Sequence, residues 1–183
     1  MIDDDEVVIL VDAADLETGV ASKTRVHETG ERHRAVSVFI ADHRGRILLQ
    51  RRAVSKYHSG GQWANTCCSH PRPGEATVVA ARRRLREEMG IDCELEAAGV
   101  FTYRAEVGGG LIEHEVDHLF FGRHEGEPKP DDREVEAWSW EAPGEIDRLL
   151  AADPRRFAAW FQPAWRHLKS RLGLETGATL TLP

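Results

Sequence analysis

Residues 77–89 constrain the fold more than any other stretch of the chain. Val78, Ala81, Leu85 and Met89 recur at three- and four-residue steps, the spacing of one helical face, and Arg82, Arg83, Arg84, Arg86, Glu87 and Glu88 fill the remaining positions. Gly90 is a suitable C-terminal stop. Segments with strand character lie on either side. Upstream, residues 7–11 and 35–41 read as strands, and the turn Asp42-His43-Arg44-Gly45 leads into residues 46–52, which predicts a β-hairpin. Between the first two strands a glycine-containing turn and a polar stretch carry Lys23, His27 and His33. A loop over residues 53–62 follows the hairpin. Downstream, residues 94–107 and 111–124 form two long β segments joined at Gly108-Gly109-Gly110, and residues 134–140 form another. Two helices are expected at the end, over 143–152 and 154–173, with Pro163 kinking or breaking the second. The pattern predicts an α+β fold, a mixed β-sheet core with flanking helices. At 183 residues the chain is sized for one domain, expected over 1–173, with a tail at 174–183.

Composition narrows the partners. No window approaches the roughly 18 apolar residues that span a bilayer, and the start, Met1-Ile2-Asp3-Asp4-Asp5-Glu6, is acidic where a signal peptide would be basic. No membrane partner and a cytoplasmic location are expected. The 24 Lys+Arg against 31 Asp+Glu give a net charge of −7, which disfavours nucleic acid as a partner. An anionic ligand would need a local basic cluster. Arg51, Arg52 and Lys56 make one beside the hairpin, and Lys23 precedes the histidines. Three cysteines, two of them adjacent, make a poor disulfide framework and predict reduced thiols. No motif addresses oligomeric state.

The chemistry-bearing residues collect in two short segments. In the extended run 63–71 side chains alternate, so Thr66, Cys68 and His70 share one side while Cys67 faces the other and is expected to pack in the core. In Leu111-Ile112-Glu113-His114-Glu115-Val116 the two glutamates fall on one strand face, where they repel unless a cation or proton lies between them. His27 and His33 are six residues apart, a spacing that by itself specifies nothing. His43, His58, His114, His118, His124 and His167 read as surface or packing residues.

Gly74-Glu75, followed by Arg83, Arg84, Leu85, Arg86, Glu87, Glu88, Met89 and Gly90, resembles the Nudix box, a loop–helix–loop whose carboxylates hold Mg²⁺ against a diphosphate. Two positions depart from it: Ser69 stands for the first glycine, and Arg84 for the glutamate that is a principal metal ligand in the hydrolases. Ala-Asn-Thr-Cys-Cys-Ser-His-Pro at 64–71 and Glu-His-Glu at 113–115 make the chain similar, over about residues 23–165, to the type 1 isopentenyl-diphosphate isomerases of the Nudix superfamily.

That resemblance implies a Nudix-like fold and isomerisation of isopentenyl diphosphate to dimethylallyl diphosphate by one protonation and one deprotonation. It implies one divalent metal, Mn²⁺ or Zn²⁺, on His27, His33, His70, Glu113 and Glu115, and Mg²⁺ held by Glu88 with the substrate diphosphate. Cys68 and Glu115 are the implied acid–base pair, Tyr103 the tyrosine beside the acid, and Trp165 the aromatic face for a carbocation, with Trp160 as its alternative. Lys23, Arg52 and Lys56 are the implied diphosphate contacts. Two other readings compete: a Nudix diphosphohydrolase, against which Arg84 argues, and a non-catalytic module with a structural metal site, against which a five-ligand set and a free thiol argue.

Overall fold

The computed structural model of the chain describes residues 6–174; the acidic start, residues 1–5, and the tail from residue 175 on lie outside the described residues. Strands β1 (Val7–Val11) and β2 (Glu17–Ser22) form an antiparallel ribbon, and helix α1 (Lys23–Thr29) follows directly. The sequence pattern left this polar stretch without regular structure. It is helical because Ser22 caps it through Oγ, which accepts the Arg25 N–H at 3.4 Å, and because Val26 packs with Val8 and Ala21. One buried aliphatic residue is too little to show a helical period.

Strands β3 (His33–Ala41) and β4 (Ile47–Arg52) form the predicted hairpin, and two short strands, β5 (Trp63–Ala64) and β6 (Cys67–Ser69), precede helix α2 (Thr77–Met89). The long strands β7 (Leu95–Glu106) and β8 (Ile112–Arg123) pair antiparallel around the Gly108–Gly110 turn, with a bulge between Ala97 and Gly99. Strand β9 (Val135–Glu141) and helices α3 (Pro143–Ala152) and α4 (Phe161–Leu172) complete the fold. Strand β3 runs parallel to β8 and antiparallel to β6, so β7, β8, β3 and β6 form one ladder; β9, β4 and β5 form a second, joined through the β3–β4 hairpin.

Both faces of β3 are buried, and they face different cores. Val36, Val38 and Ile40 pack with Ala80, Ala81, Leu85 and Met89, the apolar stripe of α2. Phe39 and Ala41 pack with Leu119 and Phe121 of β8 and with Ile146, Phe161, Ala164, Trp165 and Leu168 of α3 and α4. Helix α2 ends where expected, at Gly90 with φ 66°, and a Cβ there would lie 2.6 Å from the Lys129 carbonyl oxygen, so only glycine fits.

Helix α4 departs from expectation. A 3₁₀ turn covers Pro154–Arg156, and α4 begins only at Phe161, so Pro163 falls in its first turn, where the missing N–H has no intrahelical partner to lose. Proline neither kinks nor breaks this helix; its register puts Phe161, Ala164, Trp165 and Leu168 on one buried stripe.

Leu119 is fully buried at the centre of the α4-side core. Leu119→Ala is expected to cost about 2–5 kcal/mol in urea unfolding, and a cost below about 1 kcal/mol would contradict this placement.

Candidate active site

The side chains of β8 alternate, and the face that carries Leu119 and Phe121 into the core carries Glu113, Glu115 and Asp117 toward the opposite end of the same strand. The sheet register then supplies neighbours. Glu115 lies beside His33 of β3 on one side and beside Tyr103 of β7 on the other. His27 enters from α1, and His70 follows β6. Ligand atoms of His27, His33, His70 and Glu115 all lie within 4.8 Å of one another, and a second group combines His27 with His58 and Glu113.

The orientation of the imidazoles identifies what this cluster wants. Nδ1 of His27 donates to the Lys23 carbonyl (2.6 Å) and Nδ1 of His33 to the Glu31 carbonyl (2.9 Å). Each ring therefore turns Nε2 toward carboxylates: His27 to Glu113 Oε2 at 3.2 Å, His33 to Glu115 Oε1 at 3.4 Å. Nε2 of His33 is buried without a hydrogen-bond partner. Nε2 of His70 is 3.0 Å from Glu115 Oε1. Buried imidazole lone pairs facing buried carboxylate oxygens repel unless a cation or protons sit among them, so this donor set fits a divalent metal.

The electrostatics agree. Burial alone would raise the Glu113 carboxyl, but the adjoining imidazoles of His27 and His58 hold it well below the usual carboxylate range. Burial and Glu113 push Glu115 up, yet contacts with His33 and His70 leave it lowered. Burial also lowers His70, to about 4, despite its Glu115 contact. For His33 burial again acts downward, and here the adjoining Glu115 carboxylate wins and raises it.

Beyond the cluster a cavity of about 40 Å³ opens. Cys68, Tyr103, Glu113, Glu115 and Trp160 line it, together with Lys23, Arg52, Lys56, Arg84 and Glu88. The Tyr103 hydroxyl donates to Glu115 Oε2 at 2.5 Å. Nε1 of Trp160 lies 2.9 Å from Cys68 Sγ and 3.1 Å from Asn65 Oδ1, and burial raises the thiol. Cys67 points the other way, fully buried against α2 as expected. The cations are partly engaged: Lys23 with Glu6 (2.7 Å), Lys56 with Glu134, and the Arg52 guanidinium 5.1 Å from the Trp160 ring centroid, its Nε unpartnered. Arg84, in place of the box glutamate, donates to Glu88 Oε1 (2.6 Å) and Glu134 Oε1 (3.2 Å).

Two expectations need correction. Trp165 is not in the cavity: it packs against Phe39, and its Nε1 donates to Asp147 Oδ1 at 2.8 Å. The α4 register assigns it to the core stripe, whereas Trp160, just before the helix, turns to Cys68. His58, expected at the surface or in packing, is buried, lines the cavity and contacts Glu113 Oε1 at 2.9 Å. Its neighbour two residues back is Lys56, a predicted diphosphate contact, and that adjacency is the one sequence feature that points to it. The other predicted residues, His27, His33, His70, Glu113, Glu115, Glu88, Cys68, Tyr103, Lys23, Arg52 and Lys56, all meet at this cluster or cavity.

Residues 31–161 match the NUDIX domain family. A protein of Aromatoleum aromaticum named isopentenyl-diphosphate Delta-isomerase 2 is 51% identical over 156 residues, 85% of this chain and 82% of that protein. One from Serratia proteamaculans, named isopentenyl-diphosphate Delta-isomerase, is 52% identical over 157 residues, 86% and 88% of the two chains. Among solved structures, DR0079 from Deinococcus radiodurans superposes with a TM-score of 0.73 at 19% identity, covering 88% of this chain and 98% of that one, a likeness of fold alone. The chain belongs to the NUDIX family, within its isopentenyl-diphosphate Delta-isomerase branch.

A cation in this cluster would compete with protonation of His33. The pKa of His33 is raised, so on acidification it takes up a proton in the place a cation would neutralise. Divalent-metal content after dialysis is expected to be full above the raised His33 value and to fall as pH drops through it. Metal analysis across a pH series checks this, and retention independent of pH would refute it.

Proposed function

We infer that this chain isomerises isopentenyl diphosphate to dimethylallyl diphosphate, moving a C=C bond by one carbon. The observation that carries this reading is the meeting of Cys68, Glu115, Tyr103 and Trp160 around one cavity that Lys23, Arg52, Lys56 and Arg84 also line, in a chain about half identical to proteins named for that reaction. The reaction adds a proton to the terminal methylene, which leaves a tertiary carbocation, and removes one from the carbon next to the diphosphate-bearing one. No electron is transferred and no phosphate leaves. Such a step needs an acid and a base, a face that tolerates positive charge, and no loose water.

Cys68 and Glu115 are the proposed acid–base pair. Tyr103 donates to Glu115 Oε2 and so keeps that carboxyl oriented. Trp160, fixed by its contact with Cys68 Sγ, offers its π face to the carbocation. Lys23, Arg52, Lys56 and Arg84 supply positive charge for the diphosphate inside a chain of net charge −7. His27, His33, His70, Glu113 and Glu115 would hold one divalent cation, Mn²⁺ or Zn²⁺ rather than Mg²⁺, because imidazole nitrogen is a poor partner for hard Mg²⁺. That cation, when bound, holds the Glu115 carboxyl in place and tunes its acidity. Glu88, buried beside Arg84, would hold Mg²⁺ carried with the diphosphate.

A Nudix diphosphohydrolase is the weaker reading, because Arg84 replaces a principal carboxylate of the box and ties up Glu88 and Glu134. We further propose that residues 1–173 act as one catalytic unit on a small diphosphate rather than on nucleic acid. No helix among the described residues is long and apolar enough to cross a membrane, and Cys67, Cys68 and Cys93 are free thiols, which supports a reducing, cytoplasmic setting.

Incubation with isopentenyl diphosphate, followed by NMR of the products, is expected to give dimethylallyl diphosphate without phosphate release; phosphate without the allylic isomer would sink the reading. Cys68→Ala is expected to lower kcat by about 10²–10⁴-fold while metal content and folding persist, and full retained activity would remove Cys68 from the pair. The two tryptophans should separate cleanly. Trp160→Phe is expected to reduce kcat with little change in stability, and Trp165→Phe to lower the urea midpoint with kcat kept within about threefold; the reverse pattern would restore Trp165 as the site residue.

A further inference from the structure

Glu113 is 3% exposed, and its two carboxylate oxygens face different groups. Oε2 is turned to Nε2 of His27 at 3.2 Å and Nε2 of His33 at 4.0 Å. Oε1 meets Nε2 of His58 at 2.9 Å. A buried carboxylate that gives one oxygen to a metal must have the other satisfied, because an unpaired buried oxygen loses its hydration without return. Groups that satisfy the outer oxygen also set the angle at which the inner one points.

His58 is built to stay in that place. Its ring stands edge-on to Tyr57 at 4.3 Å and to Trp160 at 6.0 Å between centroids. Its Nδ1 is 3.2 Å from the Ser59 hydroxyl, which can donate to it and leave the ring proton on Nε2, toward Glu113. The Arg52 guanidinium donates to its backbone carbonyl at 3.4 Å. The loop closes on itself at Gly60, where a Cβ would lie 2.6 Å from the Val54 carbonyl oxygen.

We propose that His58 is a positioning residue of the metal centre: its Nε2–H holds Oε1 of Glu113, so that Oε2 faces the space between His27 and His33. This rests on the reading of the His/Glu cluster as a metal site, and it adds to that site a residue that supplies no ligand atom. The hydrogen bond, not the ring, is the required feature. Glutamine carries an N–H donor at a similar reach from the backbone, whereas alanine and phenylalanine carry none, phenylalanine keeping the ring that packs on Tyr57 and Trp160.

The test is Mn²⁺ affinity, read from free Mn²⁺ by electron paramagnetic resonance after chelator stripping, in the wild-type chain and in His58→Ala, His58→Phe and His58→Gln. His58→Ala and His58→Phe are expected to bind Mn²⁺ about 10–100-fold more weakly, and His58→Gln within about threefold of wild type, while the stripped proteins melt alike. If His58→Ala does not fold, the His58→Phe and His58→Gln pair carries the same comparison. Affinity unchanged on loss of the donor overturns the proposal, and so does His58→Gln binding as weakly as His58→Phe, since the imidazole itself would then be the ligand. A wild-type chain that takes up no Mn²⁺ removes the metal reading and this assignment together, an outcome distinct from wild-type binding that the variants share.

Discussion

Nine consecutive residues of β3 pair in parallel with β8, from His33 beside Glu115 to Ala41 beside Arg123. This one register sets both halves of the fold's chemistry. On β8 the face that delivers Leu119 and Phe121 to the core also delivers Glu113, Glu115 and Asp117, and a slip of one residue would move all five to the opposite face. The hydrophobic end therefore holds the polar end in place. Burying Leu119 and Phe121 with α4 is favourable enough to fix the register, and the register then obliges two glutamates to lie close together away from water.

Such an arrangement is costly unless something compensates it. The surrounding groups are arranged to compensate without cancelling the site. Backbone carbonyls of Lys23 and Glu31 take the Nδ1 protons of His27 and His33, which leaves both Nε2 lone pairs pointing inward. Tyr103 gives Glu115 a neutral donor rather than a charge. The carboxylates thus remain acceptors, a geometry poised for a cation. Asp117 contrasts with them: burial and the neighbouring Glu115 raise its carboxyl, and the Ser37 hydroxyl bonds one oxygen.

Legibility from sequence followed periodicity. Helix α2 and the β8 face could be read because several residues repeat the same spacing, and Cys67 and Cys68 could be told apart because extended chain alternates. Helix α1 could not, since Val26 and His27 are its buried residues and neither makes a stripe. The order of the two tryptophans is not legible because it turns on where α4 begins, and Pro163 tolerates a start at Phe161 that its presence in mid-pattern argues against. His58 sits in a loop, where side-chain direction depends on local turns that carry no period.

Arg84 is where the box helix departs most from the hydrolase pattern, and the departure is chemical rather than architectural. The helix keeps its apolar stripe, its Gly90 stop and the Arg83–Glu75 pair that staples the preceding loop at 2.8 Å. A guanidinium at this position presents positive charge to the cavity and engages the neighbouring carboxylates. Arg84 is drawn to Glu88 and Glu134, and Lys56 to Glu134, so positive groups stand where a second metal-binding carboxylate would otherwise repel a diphosphate. A site that activates water at phosphorus needs carboxylates clustered on cations there. A site that only has to grip the diphosphate, while protons move at carbon, would be served by the cations themselves, and the carboxylates that could hold a metal lie on β8.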